Sequence, residues 1–234
     1  MVEERFVPKP SVLMANILEI LAEGRYIDQL TITITNYVVG VVFGTVVGVS
    51  LALALYTVKY AKSLLTPYIL LLSVVPKVIF FPIFVKLFVV EEVIKIAFIA
   101  ILYVAIFVYL GVVSNLDLLD VNYLRLFRVY TRSHLKIFRK LLLPTVFYSL
   151  LANIRLAVVF ALVGAIFADM MLAPGVGYIL LILAYSFRTS ELYAVIVLIA
   201  ATAVALNLLM KYLEDWASKH LRTEQITKIS LWFN

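Results

Sequence analysis

The feature that most constrains this chain is a run of thirty residues, 29–58, without a single Asp, Glu, Lys or Arg. A helix crosses the hydrocarbon core of a bilayer with about 20 consecutive apolar residues, so this run is long enough to span. Other stretches match it. Residues 96–116 are uncharged, as are 192–210 between Glu191 and Lys211. The apolar segment 67–90 carries Lys77 and Lys86, and 146–169 carries Arg155 and ends on Asp169. The chain therefore divides into five expected spans, near 35–56, 67–90, 94–114, 146–169 and 192–211. Outer-membrane strands are about 10 residues long and alternate in polarity, whereas these runs are twice that length and do not alternate. The expected fold is an all-α membrane protein, one transmembrane domain over 1–234. Pro174, Gly175 and Gly177 interrupt 170–190 early, which reads as a loop or re-entrant segment.

Composition narrows function. Apolar residues make up 65% and charged residues 15%, against about 45–50% and about 25% in soluble domains. Ordinary soluble and disordered chains are both excluded. With no cysteine, thiolate chemistry is excluded, and His134 and His220 leave little for a metal cluster. The G-x-x-x-x-G-K-[ST] phosphate loop, the H-E-x-x-H metalloprotease pair and the G-x-S-x-G elbow are absent from the sequence. No cofactor or metal is expected in this chain, no nucleic acid as partner, and ATP hydrolysis by a phosphate loop is excluded. An intramembrane enzyme would have few polar residues from which to build a site.

The bases set an orientation. Five spans would put Lys59, Lys62, the 114–145 loop (Arg125, Arg128, Arg132, Lys136, Arg139, Lys140) and Lys211, Lys219, Arg222 and Lys228 on one side. The other side holds Arg5, Lys9, Arg25 and Arg188. Cytoplasmic loops carry the excess of Lys and Arg. The C-terminus is thus expected in the cytoplasm and the N-terminus outside, in a multi-pass plasma-membrane protein. Residues 1–33 have no signal-peptide pattern. Val12, Leu13, Ile17, Leu18 and Leu21 recur there at helical spacing. They predict an extracytoplasmic amphipathic helix on the membrane surface or on the bundle.

Four features could carry function. In the 114–145 loop, Arg125, Arg128, Arg132, Lys136 and Arg139 share one helical face, while Leu124, Phe127, Leu135, Phe138 and Leu142 share another. Pro144 stops or kinks that helix. It can face a cytoplasmic partner or anionic lipid headgroups. Gly40, Gly44 and Gly48 recur every four residues, a pattern that lets a second helix approach closely. Pro76 and Pro82 break the second span, either as a kink or as a broken helix facing a pathway. Arg155 and Asp169 flank the fourth span. Arg155 can snorkel to headgroups, and Asp169 can cap or pair at the outer end.

Taken together, these segments resemble a family. Leu124 to Pro144, Asn153-Ile154-Arg155-Leu156-Ala157, Ala168-Asp169-Met170 and Pro174-Gly175-Val176-Gly177-Tyr178 are similar to the membrane subunit of ABC importers, of the type I architecture. The branch they resemble is that of the sulfonate, taurine, nitrate and thiamine-precursor permeases. Its loop has the form E-A-A-x3-G-x9-I-x-L-P. Leu143-Pro144 match the end, Leu141 stands at the isoleucine, Thr131 replaces the glycine, and Arg125-Leu126-Phe127 fall on E-A-A. Pro76 and Pro82 match a paired-proline segment, and Asp169 stands where the family has a glutamate. Val7-Pro8-Lys9-Pro10-Ser11 resembles the segment after the family's first span, so the chain is expected to begin beyond that span.

The resemblance implies a dimeric pathway with a second permease copy, identical or paralogous. It implies a coupling helix over 122–140 that docks on a cytoplasmic ATPase holding ATP and Mg. Arg125, Phe127, Arg128, Tyr130, Thr131, Arg132, Leu143 and Pro144 would do the docking. Pro76, Pro82, Arg155 and Asp169 would serve pathway or gating, and an extracytoplasmic binding protein would deliver a small anion or vitamin precursor. The alternative is a membrane scaffold using the basic loop on lipid or a partner.

Overall fold

The structure is a computed structural model describing residues 8–58, 60–87, 92–118, 129, 143–172 and 174–232. Every element among them is helical. They are α1 (Pro10–Ala22), α2 (Arg25–Thr57), α3 (Ala61–Val74), a 3-10 helix (Lys77–Phe80), α4 (Phe81–Leu87), α5 (Glu92–Asp117), α6 (Leu143–Leu172), α7 (Val176–Tyr185) and α8 (Thr189–Trp232).

The sequence of α2 shows why. Thr31-Ile32-Thr33-Ile34-Thr35 and the valines after it are β-branched and favour strands in water. In lipid every backbone N–H and C=O must be bonded within the segment, and a helix does that alone. Thr31 and Thr35 tuck their hydroxyls onto the carbonyls four residues back, each at 2.8 Å.

Among the described residues, four helices are long and apolar enough to cross a membrane: Arg25–Tyr56, Ala97–Asp117, Ile154–Met171 and Thr189–Trp216. A fifth span is broken. Ala61–Val74 and Lys77–Phe84 meet at 99°, so the segment expected as one span over 67–90 starts earlier and turns sharply at Val75–Pro76. The expected five-span, all-α membrane fold stands. Within the segment expected as a loop or re-entrant segment, 170–190, lies the ten-residue helix α7.

The core is α2, α5 and α6. α2 and α5 run parallel with a constant offset of sixty residues. Gly40 faces Ala100, Gly44 faces Val104, Gly48 faces Val108, and Tyr56 bonds Leu116. A methyl at Gly40 would overlap Ala100, and a Cβ at Gly44 would sit 2.6 Å from that of Val104. The stripe thus brings two backbones together where lipid provides no hydrophobic drive. α6 returns antiparallel, with Gly164 against Ala100 and Tyr103. α8 is peripheral: 11% of its apolar window is buried, against 50% for α5. α1 packs at the bundle end, with Ile20 against the cluster of Tyr26, Val176, Leu183 and Val195, while Val12, Met14 and Leu18 stay exposed.

This topology gathers the α2–α3 turn, the end of α5 and the start of α6 at one end, here called the basic end. The α1–α2 elbow, α7 and the start of α8 share the other.

Candidate functional site: the polar groups inside the bundle

At the basic end, two contacts tie the end of α5 to its neighbours. Tyr56 donates its hydroxyl to the Leu116 carbonyl at 3.0 Å. Lys62, on the first turn of α3, pairs with Asp117 and lies 5.3 Å from the Tyr56 ring. A third contact follows two turns deeper, where Thr66 and Tyr109 hydroxyls meet at 2.7 Å. These contacts fix the end of α5 against α2 and α3. The Lys62–Asp117 pair is half-exposed, so Lys62→Ala is expected to cost ~1 kcal/mol or less, read by thermal unfolding. Its larger expected effect is local: faster amide exchange in the last turn of α5, with the rest of the chain unchanged.

At the opposite end Asp169 is fully buried. Thr33 of α2 donates to its Oδ2 at 2.5 Å and Asn36 to its Oδ1 at 3.5 Å. The N–H groups of Val176 and Gly177, on the first turn of α7, also point at the carboxylate, and that of Val176 reaches Thr33 Oγ1 at 2.9 Å. Asp169 therefore caps α7, whose first N–H groups would otherwise lack partners, and joins α2, α6 and α7. Gly175 makes this possible. Its φ of 154° favours glycine, and a Cβ there would fall on the Asp169 carboxyl group.

The break in the second span is held by Lys77. This side chain is buried, and its Nζ donates to the Ser73 carbonyl at 2.6 Å. The helix ends there, so the ammonium takes the place of the amide four residues on. The Tyr103 and Phe107 ring centroids lie 4.6 and 5.7 Å from Nζ, within cation–π range. Phe160 of α6 stacks on Phe107 at 4.4 Å. Among the described residues no carboxylate pairs with Lys77.

The residues singled out from the sequence thus fall in separate places. Asp169 is inside the bundle at one end. Arg155 is exposed on α6, where its Nε donates to Asn207 of α8 at 3.0 Å. Pro76 stands exposed at the break, and Pro82 in the first turn of α4. Gly40, Gly44 and Gly48 face α5. Leu143 and Pro144 open α6, with Leu143 exposed. Arg125, Phe127, Arg128, Tyr130, Thr131 and Arg132 lie outside the described residues. Sequence reasoning missed Thr33, Asn36 and the bracing use of Lys77. The available signal was a polar pair at i, i+3 on one face of a span, and a lysine immediately after a proline.

Among the described residues, four helices long and apolar enough to cross a membrane give the chain the build of a multi-pass membrane protein. The chain belongs to the family of binding-protein-dependent transport system inner membrane components, whose model matches residues 40–223. It is a permease component of an ABC importer in the plasma membrane, a transport permease rather than an enzyme, and membership implies an ATPase and a substrate-binding protein as partners. A curated relative, the "Putative aliphatic sulfonates transport permease protein SsuC" of Bacillus subtilis (strain 168), is 25% identical over 210 residues, covering 89% of this chain and 75% of that protein. Two solved structures share the fold. An amino acid ABC transporter crystallised with histidines superposes with a TM-score of 0.68 at 14% identity, over 86% of this chain and 96% of that one. The MetNI methionine ABC transporter, in inward-facing conformations, gives 0.67 at 16% identity, over 83% and 95%.

Proposed function

We propose that two copies of this permease, or this one and a paralogue, line a pathway for a small anion of the aliphatic sulfonate class. A cytoplasmic ATPase would drive the cycle through the 122–140 loop. The observation that supports this most is that the core helix α5 ends at Asp117 and the core helix α6 begins at Leu143, so 122–140 lies in the chain between two helices of the packed centre, and a push on it would be delivered there. The bases of the loop and of the C-terminal segment then mark the cytoplasmic side, with α1 and α7 outside. The substrate class rests on the relative's name.

In this reading Arg125, Phe127, Arg128, Tyr130, Thr131 and Arg132 meet the ATPase, and Leu143 and Pro144 transmit the force into α6. The break at Pro76 and Pro82 provides the gating movement. Asp169 holds α7 in place, and Arg155 ties α6 to α8. ATP and Mg bind in the partner, and a binding protein delivers substrate at the end formed by α1 and α7.

Copurification tests the docking step. Arg132→Glu with Phe127→Ala is expected to abolish recovery of the ATPase with the tagged permease, without loss of the permease from the membrane. Full recovery of the ATPase with that double variant would remove the loop from the account.

A further inference from the structure

A cavity of about 300 Å³ lies between α2, α6 and α8, with a wall that includes Leu162, Val163, Ile166, Ala203 and Val204. Asn207 is one of the few polar side chains on that wall. Because Asn207 accepts from Arg155 Nε at 3.0 Å, the guanidinium is held at the cavity's edge. That bond uses one of five N–H donors. Among the described residues no carboxylate pairs with Arg155, and arginine stays charged.

Its depth is informative. Arg155 is twelve residues into α6, ~18 Å along the helix from Leu143. A span of about 20 residues counted back from Leu172, where α6 ends, begins near 153, so Arg155 lies close to the margin on the side of the basic end. Beyond it, Val159, Val163 and Val204 are exposed. The result is a cation at the margin of the apolar layer, with an apolar groove running from it toward the membrane interior.

We propose that this groove binds an acidic phospholipid from the leaflet on the basic side, its phosphate on the Arg155 guanidinium and an acyl chain in the cavity. Guanidinium binds phosphate bidentately, and the exposed valines open the groove along α8, the helix least covered by protein. The site would make α6, which continues from the basic loop, sensitive to the charge of the surrounding lipid.

The sequence has no cysteine, so Leu208→Cys provides a single position for a bimane label beside Asn207. The labelled full-length chain goes into nanodiscs of phosphatidylcholine with brominated phosphatidylglycerol or brominated phosphatidylcholine. Quenching is expected to show about a fivefold preference for phosphatidylglycerol, equivalent to ~1 kcal/mol for one basic residue. Arg155→Gln should bring the ratio to one, and Arg155→Lys should keep most of it. Ala203→Phe, which fills the cavity, should weaken quenching by both lipids. An unchanged ratio in Arg155→Gln would overturn the proposal. So would absence of quenching by either lipid, which means that a second copy covers the groove. Displacement of phosphatidylglycerol by millimolar ethanesulfonate would also overturn it, by making the groove a substrate site.

Discussion

Asp169→Ala is expected to cost the chain about 4 kcal/mol. The side chain receives Thr33, Asn36 and two backbone N–H groups, but these would not all be stranded. Thr33 keeps an alternative acceptor in the Gln29 carbonyl at 3.1 Å, and the Val176 N–H keeps Thr33 Oγ1. The Asn36 amide and the Gly177 N–H are left without partners. Each buried orphan costs ~1–3 kcal/mol. Thermal unfolding in detergent reads the loss. Asp169→Asn should recover only part of it, because one carboxylate oxygen becomes an NH2 facing donors. Thr33→Ala should be milder, because the Asp169 carboxylate remains for the Val176 N–H, and should cost more in the Asp169→Ala background, where Thr33 Oγ1 is the partner that N–H has left. Wild-type stability of Asp169→Ala would refute the brace.

The glycine stripe gives the second large effect. A Cβ at Gly44 would stand 2.9 Å from the Ile101 carbonyl as well as against Val104, and one at Gly48 would stand 2.6 Å from the Ala105 carbonyl. The obstacles include backbone, which cannot rotate away. Gly44→Ala is therefore expected to destabilise by ~1–3 kcal/mol. Gly44→Leu should separate α2 from α5 and prevent accumulation of folded protein. Val104→Ala removes only the Cγ1 at 3.0 Å and leaves the Val104 Cβ at 2.6 Å and the Ile101 carbonyl at 2.9 Å, so it should restore little of the loss in Gly44→Ala and none in Gly44→Leu. Unfolding of purified variants checks the order. Wild-type behaviour of Gly44→Leu would mean that the two helices do not pack through this stripe.

The spans were legible because charge is so costly in hydrocarbon that its absence marks them. The glycines were legible as a contact surface, since a spacing of four needs no knowledge of the partner. The partner was not legible, because nothing local in 92–117 announces a parallel helix in a sixty-residue register. Pro76 announced a break, but its 99° angle depends on Lys77 reaching Ser73 and two aromatic rings on α5. α7 read as a loop because ten residues are too few to span and glycines precede them. It is helical because a carboxylate on another helix satisfies its first N–H groups. Thr33 and Asn36 lie more than 130 positions from Asp169, a pairing that only the folded chain reveals. The coupling residues from Arg125 to Arg132 were read from helical periodicity and family resemblance, and they lie outside the described residues.

The central claim is that work done by an ATPase enters this chain through its basic loop. Proteoliposomes containing the permease, its ATPase and its binding protein test it most directly, with radiolabelled ethanesulfonate outside and ATP at the ATPase face. The wild-type assembly should accumulate label only with ATP, and Arg132→Glu with Phe127→Ala should abolish accumulation while leaving the permease folded. ATP-dependent uptake at the wild-type rate by that double variant would contradict the account.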